Sequence, residues 1–273
     1  MRSITIAATL LLVLGCQPRP ELSTTREEIL ASVFDGNGEH WVDLTHPFSS
    51  RTILWPTDTL GFKLEELSYG YTDDGWFYSA YQLSAAEHGG THLDAPIHFF
   101  EGRRTTDQIP FSNLIGPAVV VDVSDRVHPD YQVTIEDLTR WEAEHGRIPE
   151  GAILLVRTGW DARYGDRAAY LGTELTGEAA VADLHFPGLG PEAAEWLVQN
   201  RKIAAVGIDT PSIDYGQSTD FKVHRILFEQ NVPGFENLAS LGELPATGSY
   251  VVALPMKIEG GSGGPLRIVA YRP

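Results

Sequence analysis

The sequence predicts one mixed domain of the α/β or α+β class. Three observations carry this. From about residue 41, short apolar runs rich in Val, Ile and Tyr alternate with helical stretches, and Gly or Pro bounds most of them. No linker-like stretch divides the chain after that point. Of the 273 residues, 42% are hydrophobic, 10% aromatic and 21% charged, and a globular chain of this length buries a sizeable core without disulfides.

The candidate strands are Trp41–Leu44, Tyr78–Ser84, Ala118–Val123, Ala152–Arg157, Ala204–Ile208, Tyr250–Leu254 and Leu266–Tyr271. Ile135–His145 reads as a helix, because Thr134 is a good N-cap and acidic residues fill the first turn. Pro191–Asn200 is a second helix, with Pro at its start, and His224–Gln230 a third. The domain is expected to span residues 41–273.

Residues 1–15 read as an address. Arg2 supplies one positive charge, and Ile4–Leu14 is an almost unbroken apolar run of eleven residues. That is too short for an ordinary transmembrane helix, which needs about 20 residues, and has the proportions of a signal-peptide core. Cys16, the single cysteine, stands directly after it in Val13-Leu14-Gly15-Cys16, a sequence that resembles a bacterial lipoprotein box. Cleavage before Cys16 and lipidation of its thiol are expected; the alternative is a plain secretory signal. Gln17 is not the aspartate that retains lipoproteins at the inner membrane, so an outer-membrane anchor facing the periplasm is expected. Residues 16–40 would then be the lipidated cysteine and a tether.

Thirty-seven acidic against 20 basic side chains give a formal net charge of −17. Nucleic-acid binding is excluded as a reading, since it needs a basic stripe. Charge gives no support to anionic lipid binding either, which leaves the lipid anchor as the membrane contact.

Three of the nine histidines lie within eleven residues, in His88-Gly-Gly-Thr-His92-Leu-Asp94-Ala-Pro-Ile-His98. Gly89, Gly90 and Pro96 argue against a helix here. In an extended segment residues two apart share a face, so His92 and Asp94 point the same way. A turn at the glycines brings His88 beside them. Two imidazoles and a carboxylate form a ligand set for zinc or manganese, with a position left open for water. His98 lies beyond Pro96, near enough to act on that water without ligating.

The segment His88–Phe99 resembles the HxGTHxDxPxHF signature of the metal-dependent cyclase family, which includes bacterial kynurenine formamidases and isatin hydrolases. Further matches are Val42–Pro47, the Trp55-Pro-Thr-Asp58 turn, Arg157–Gly159, Phe186–Trp196, Gly207–Ser212 and Gly263–Arg267. The resemblance implies a swivelling β/β/α fold, an α/β architecture, commonly assembled as homodimers or tetramers. It also implies His224 and Glu236, at the family's twelve-residue spacing, as further ligands. By resemblance His88, His92 and Asp94 hold one divalent metal, and Asp94, His224 and Glu236 a second; His98 is the general acid/base. Glu236 stands where some members carry Gln, which favours two metals, zinc or manganese.

The implied activity is hydrolysis of an amide C–N bond. The leading named substrate is N-formylkynurenine, of tryptophan catabolism; cyclic imides, isatin-like lactams and lactones are the alternatives. An export signal and an extra stretch at Asp161–Leu184 count against the formamide. A metal- or ligand-binding lipoprotein without turnover is the rival of a different class.

Other signals carry less. Trp55, Trp76, Phe77, Phe99 and Trp160 are candidates for the wall of a flat substrate's pocket. Asp209 and Asp214 read either as orienting partners of ligand imidazoles or as turn and cap residues. Gly260-Gly-Ser262-Gly-Gly264 spells G-x-S-x-G, yet no histidine follows it and Pro265 leads into a strand, so it reads as a flexible loop that could back the pocket, not a nucleophile elbow.

Overall fold

The structure is a computed structural model; it describes residues 38–272 together with Ala31, Val33 and Phe34. Cys16 and the apolar run before it lie outside the described residues.

Twelve strands are present among the described residues. They are β1 (Trp41–Asp43), β2 (Lys63–Tyr71), β3 (Phe77–Ser84), β4 (His92–Asp94), β5 (Ile115–Asp122) and β6 (Gln132–Val133). The rest are β7 (Ile153–Arg157), β8 (Gly188–Leu189), β9 (Ala205–Ile208), β10 (Gly234–Glu236), β11 (Ser249–Pro255) and β12 (Gly263–Tyr271). The helices are α1 (Phe111–Leu114), α2 (Ile135–His145), α3 (Arg167–Leu171), α4 (Pro191–Asn200) and α5 (Lys222–Glu229).

Eight strands form one mixed sheet in the order β1-β12-β11-β5-β7-β9-β10-β4. Strand β4 also pairs with β12, so the sheet curls back on itself like a barrel. Strands β5, β7, β9 and β10 run parallel to their neighbours in that series, and helices cover the crossovers. The parallel strands are nearly continuous apolar runs because both their faces are buried. Val119, Val121, Leu154, Val156, Val206 and Ile208 face α2, α4 and α5 in one cluster, while Val120, Ile153, Leu155 and Ala205 join Leu93, Phe235 and Ile268 inside the curl.

Helix α2 starts where its cap signal places it. Thr134 accepts from the Asp137 N–H, and the Asp137 carboxylate accepts in return from the Thr134 N–H, a capping box. Helix α5 begins two residues earlier than the sequence indicates, because Asp214, from the loop after β9, accepts from the Val223 and His224 N–H groups. A short carboxylate brought from elsewhere in the chain thus caps this helix, where sequence reading looks for a local cap.

Strands β2 and β3 form a separate hairpin outside the main sheet. Its residues are almost all exposed, including Leu64, Leu67, Tyr69, Tyr71, Tyr81 and Leu83. Trp76 and Phe77 sit at its tip, 54% and 48% exposed, beside the Thr72–Gly75 turn that reverses the chain. The expectation that they wall a pocket is therefore corrected: β-propensity and aromatic content identify a strand, not the body it packs on.

The stretch Asp161–Leu184 folds as short helical turns over a small cluster of Ile53, Trp160, Tyr170, Leu171, Leu184 and Phe186. Trp160 belongs to that cluster at 3% exposure, and its indole N–H donates to the Tyr170 carbonyl at 2.8 Å. It is core, so its assignment to a pocket wall is also corrected. His40 closes the domain edge by pairing its Nδ1 with the Arg272 carbonyl at 3.1 Å.

Candidate metal centre

The register of three strands assembles the site. Strand β4 lies between β10 and β12, antiparallel to both. His92 stands directly opposite Glu236 of β10, and Asp94 opposite Gly234. Directly opposed residues have Cβ atoms about 4.5–5.5 Å apart, so the pairing alone brings an imidazole to a carboxylate. His92 and Asp94 share a face, as the extended spacing predicts, with His92 Nε2 3.0 Å from Asp94 Oδ1.

His88 arrives from the turn before β4. Gly90 there has φ +59°, and a Cβ at that position would press on Thr52 and Phe48. The turn sets His88 Nδ1 2.6 Å from Asp94 Oδ1. His224, on the first turn of α5, approaches from the other side. Its Nε2 lies 3.1 Å from Asp94 Oδ2 and 3.2 Å from Glu236 Oε1. Asp94 therefore turns one oxygen to His88 and His92 and the other to His224. Two groups of converging donor atoms result, His88-His92-Asp94 and Asp94-His224-Glu236, each within 4.8 Å and sharing Asp94.

Apart from His88, these ligand-type side chains are buried: His92 and His224 are 3% exposed, Asp94 2% and Glu236 4%. Burial pushes the Asp94 carboxyl up, but the imidazoles of His88 and His92 and the bond from His224 outweigh it and hold Asp94 well below the usual carboxylate range. Burial likewise pulls His92 down, yet Asp94 and Glu236 hold it up at about 9. His224 is held well above its ordinary value against burial, by Asp214, Asp94 and Glu236. Buried carboxylates here demand positive charge, which protons supply in the absence of a metal. A donor set of imidazole nitrogens and carboxylate oxygens fits a divalent cation.

Each imidazole has a partner on its other nitrogen. His92 Nδ1 donates to the Gly90 carbonyl at 2.9 Å, and His224 Nδ1 pairs with Asp214 Oδ2 at 2.6 Å. Of the two readings of Asp214, it fills both, orienting an imidazole and capping a helix. Asp209 instead accepts from the Thr158 and Gly159 N–H groups, fixing the end of β7, and touches no ligand-type residue.

His98 ends a short 3₁₀ turn, Pro96–His98, and stacks on His88 with ring centroids 3.8 Å apart and planes 16° apart. It belongs to neither donor group. Burial holds its pKa at about 4, the pull of Asp94 being too weak to restore it.

The donor groups floor a cavity of about 300 Å³. Trp55 and Phe99 line it, with Ile53, Leu54 and Phe221 completing an apolar wall. Phe221 escaped the sequence reading. It stands just before α5 in the left-handed region, with φ +47°, and its ring lies 4.9 Å from Phe99. Among the described residues the lining contains no lysine or arginine, and its polar members outside the donor groups are Thr57, Asp58, His98, Ser212 and Asn237.

The sequence profile of a family described as putative cyclase matches residues 42–215, more than half of the chain. The chain belongs to this cyclase family. His224 and Glu236 lie beyond the matched stretch, and the fold supplies them. Among curated relatives, the cyclase-family chain is 38% identical over 213 residues to an isatin hydrolase from Roseibium aggregatum, covering 74% of this chain and 78% of that one. It is 28% identical over 231 residues to a kynurenine formamidase from Bacillus cereus, covering 84% and 96%. Among solved structures, an isatin hydrolase bound to the product analogue thioisatinate superposes with a TM-score of 0.81 at 32% identity, over 91% of this chain and 99% of that one. Isatin hydrolase A from Ralstonia solanacearum superposes with a TM-score of 0.80 at 34% identity, over 93% and 100%. The mixed α/β fold is thus that of the cyclase family.

The raised imidazole has a consequence for stability. A histidine held at about 9 in the fold and near 6.5 in the unfolded chain stabilises the fold fully below pH 6.5, and the contribution is lost as pH rises through about 9. The metal-free protein is expected to lose thermal stability between pH 6.5 and 9. Added zinc or manganese must displace those protons, so its apparent affinity rises over the same interval. Melting curves with and without metal at several pH values check both; a metal-free melting temperature that climbs with pH in this window contradicts the charge assignment.

Proposed function

We propose that this chain hydrolyses the amide C–N bond of a compact, uncharged aromatic ring compound, an isatin-like lactam, using two divalent cations. The hydrolase class follows from the family, whose relatives include the isatin hydrolase and kynurenine formamidase described above. The finer choice rests on one observation: the cavity over the donor groups is small, walled by Trp55, Phe99 and Phe221, and lined among the described residues by no lysine or arginine. N-formylkynurenine carries an amino-acid carboxylate, for which the described lining offers no lysine or arginine. A flat bicyclic lactam needs aromatic walls and a few polar groups, which the lining has.

The five residues proposed as ligands are His88, His92, Asp94, His224 and Glu236, with Asp94 shared between two ions. A divalent ion bound there supplies Lewis acidity and brings a water towards ionisation at neutral pH. The protein does the rest. Trp55, Phe99 and Phe221 hold the ring and exclude bulk water. His98, neutral at pH 7 because burial keeps its pKa at about 4, accepts the proton of the attacking water. It then delivers that proton to the ring nitrogen as the C–N bond breaks. The products are the carboxylate and the free arylamine of one opened molecule. Such acid/base work is worth about 10²–10⁴-fold.

Two readings concern the chain's surroundings. We propose that Cys16 is lipidated after export, a reading supported by the apolar run before it, with the domain from about residue 41 held at a periplasmic, outer-membrane surface. We also propose a homo-oligomer, dimer or tetramer, in which the exposed hairpin β2–β3 meets a second copy; a concentration of exposed apolar side chains such as Leu64, Leu67, Tyr69, Tyr71, Tyr81 and Leu83 ordinarily marks an interface. Cys16→Ser is expected to release the protein from membranes. Tyr69→Glu with Phe77→Glu is expected to halve the mass seen by light scattering, and an unchanged mass would remove the hairpin from the interface.

The direct test is turnover of isatin and of N-formylkynurenine by metal-loaded protein, beside His98→Ala. Isatin hydrolysis is expected, with N-formylkynurenine slower and the variant reduced at least about a hundredfold at unchanged metal content. Preference for the formamide would overturn the lactam reading. A variant as fast as the parent would remove His98 from the chemistry, and metal binding without any hydrolysis would favour the non-catalytic lipoprotein.

A further inference from the structure

The G-x-S-x-G stretch is not a loose loop. Ser262 is tied down on both sides: its carbonyl accepts from the Ala95 N–H at 2.8 Å, just past β4, and the Gly261 carbonyl accepts from the Thr106 N–H at 3.0 Å. Gly263 opens β12 opposite Asp94, and a Cβ there would lie 2.5 Å from His88 Cε1. Only glycine at this position lets the strand pass so close behind the imidazole.

This places Ser262 Oγ 2.9 Å from His88 Nε2, the nitrogen turned away from Asp94. The same hydroxyl donates to Glu87 Oε2 at 2.6 Å, and the Ser262 N–H donates to that oxygen at 3.1 Å. The chain of contacts runs Glu87–Ser262–His88–Asp94, from the half-exposed edge of the site to the carboxylate at its centre.

We infer that Ser262 and Glu87 are positioning residues that orient His88 for metal binding. The direction of the hydrogen bonds decides the matter. A serine hydroxyl has one proton and can either donate to an imidazole nitrogen or accept from it. A carboxylate only accepts, so Glu87 takes the hydroxyl proton and leaves the oxygen's lone pairs for His88. His88 Nε2 must then carry the hydrogen, and the lone pair of Nδ1 faces Asp94. Without Glu87 the serine can donate instead, which presents the protonated nitrogen to the cation. The other two imidazoles need no such device, since the Gly90 carbonyl and the Asp214 carboxylate are acceptors in themselves. His88 is also the one proposed ligand outside a strand or helix, so its geometry depends more on this outer contact.

The inference rests on the metal reading given above, and the test separates the two. Zinc alone is titrated into the purified metal-free protein by calorimetry, for the wild type, Ser262→Ala, Glu87→Ala and Glu87→Gln. Cobalt absorption spectra and metal-free melting temperatures are recorded beside them. Ser262→Ala and Glu87→Ala are expected to weaken one zinc site about 10–100-fold, leave the other within about twofold, alter the cobalt spectrum and keep the metal-free melting temperature. Glu87→Gln recovers most of the loss, because its amide oxygen can still accept both bonds. Wild-type affinity for both zinc ions in the alanine variants, or equal loss at both sites, overturns the assignment. A wild type that takes no zinc overturns the metal reading and this inference with it.

Discussion

Asp94 is a carboxylate buried to 2% exposure, and three imidazoles converge on its two oxygens. Removing such a group from water costs several kcal/mol unless charge and hydrogen bonds replace the solvent. The contacts that satisfy it come from four parts of the chain: the turn at His88, β4 itself, α5, and β10 through the imidazoles it shares with Glu236. The fold around it solves one problem, which is to hold a negative charge in the core with partners that a divalent cation can also use.

The curl of the sheet answers that problem. Strand β4 is three residues long, too short to stand alone, and it survives because β10 pairs with one edge and β12 with the other. That double pairing closes the sheet and fixes the register that sets His92 against Glu236. Leu93, fully buried between the two ligand-type residues, points the opposite way into the apolar cluster with Phe235 and Ile268. Alternation along three residues therefore anchors the strand with one side chain and presents chemistry with two. Asp214 plays a similar double part, since one carboxylate starts α5 and orients the imidazole on its first turn.

Much of this was legible in the chain. The spacing of His88, His92 and Asp94 around two glycines implied an extended segment with a turn before it, and both are present. The central strands read from their Val and Ile content, and α2 and α4 from their caps, with the bounds the sequence indicates. Hydrophobic period could not show where the hairpin's aromatics would go, because alternation says that a strand has faces but not what covers them. Trp160 misled for the reverse reason: nothing local separates a core indole from a wall indole. Phe221 and Glu87 were missed as members of the site, and Ser262 was read only within a flexible loop behind the pocket, because their contacts are set by tertiary structure, Ser262 meeting Glu87 across 175 residues. A glycine run around the serine was the one available signal, and it marked a close approach, not flexibility.

The shared carboxylate is the claim on which the rest depends, and Asp94→Asn tests it most directly. The substitution keeps the shape and removes the charge. Metal analysis of the purified variant is expected to find both ions lost together, each site falling well below half occupancy under conditions that saturate the parent protein. Full retention of one ion with loss of the other would contradict a bridging Asp94 and divide the site into two independent halves.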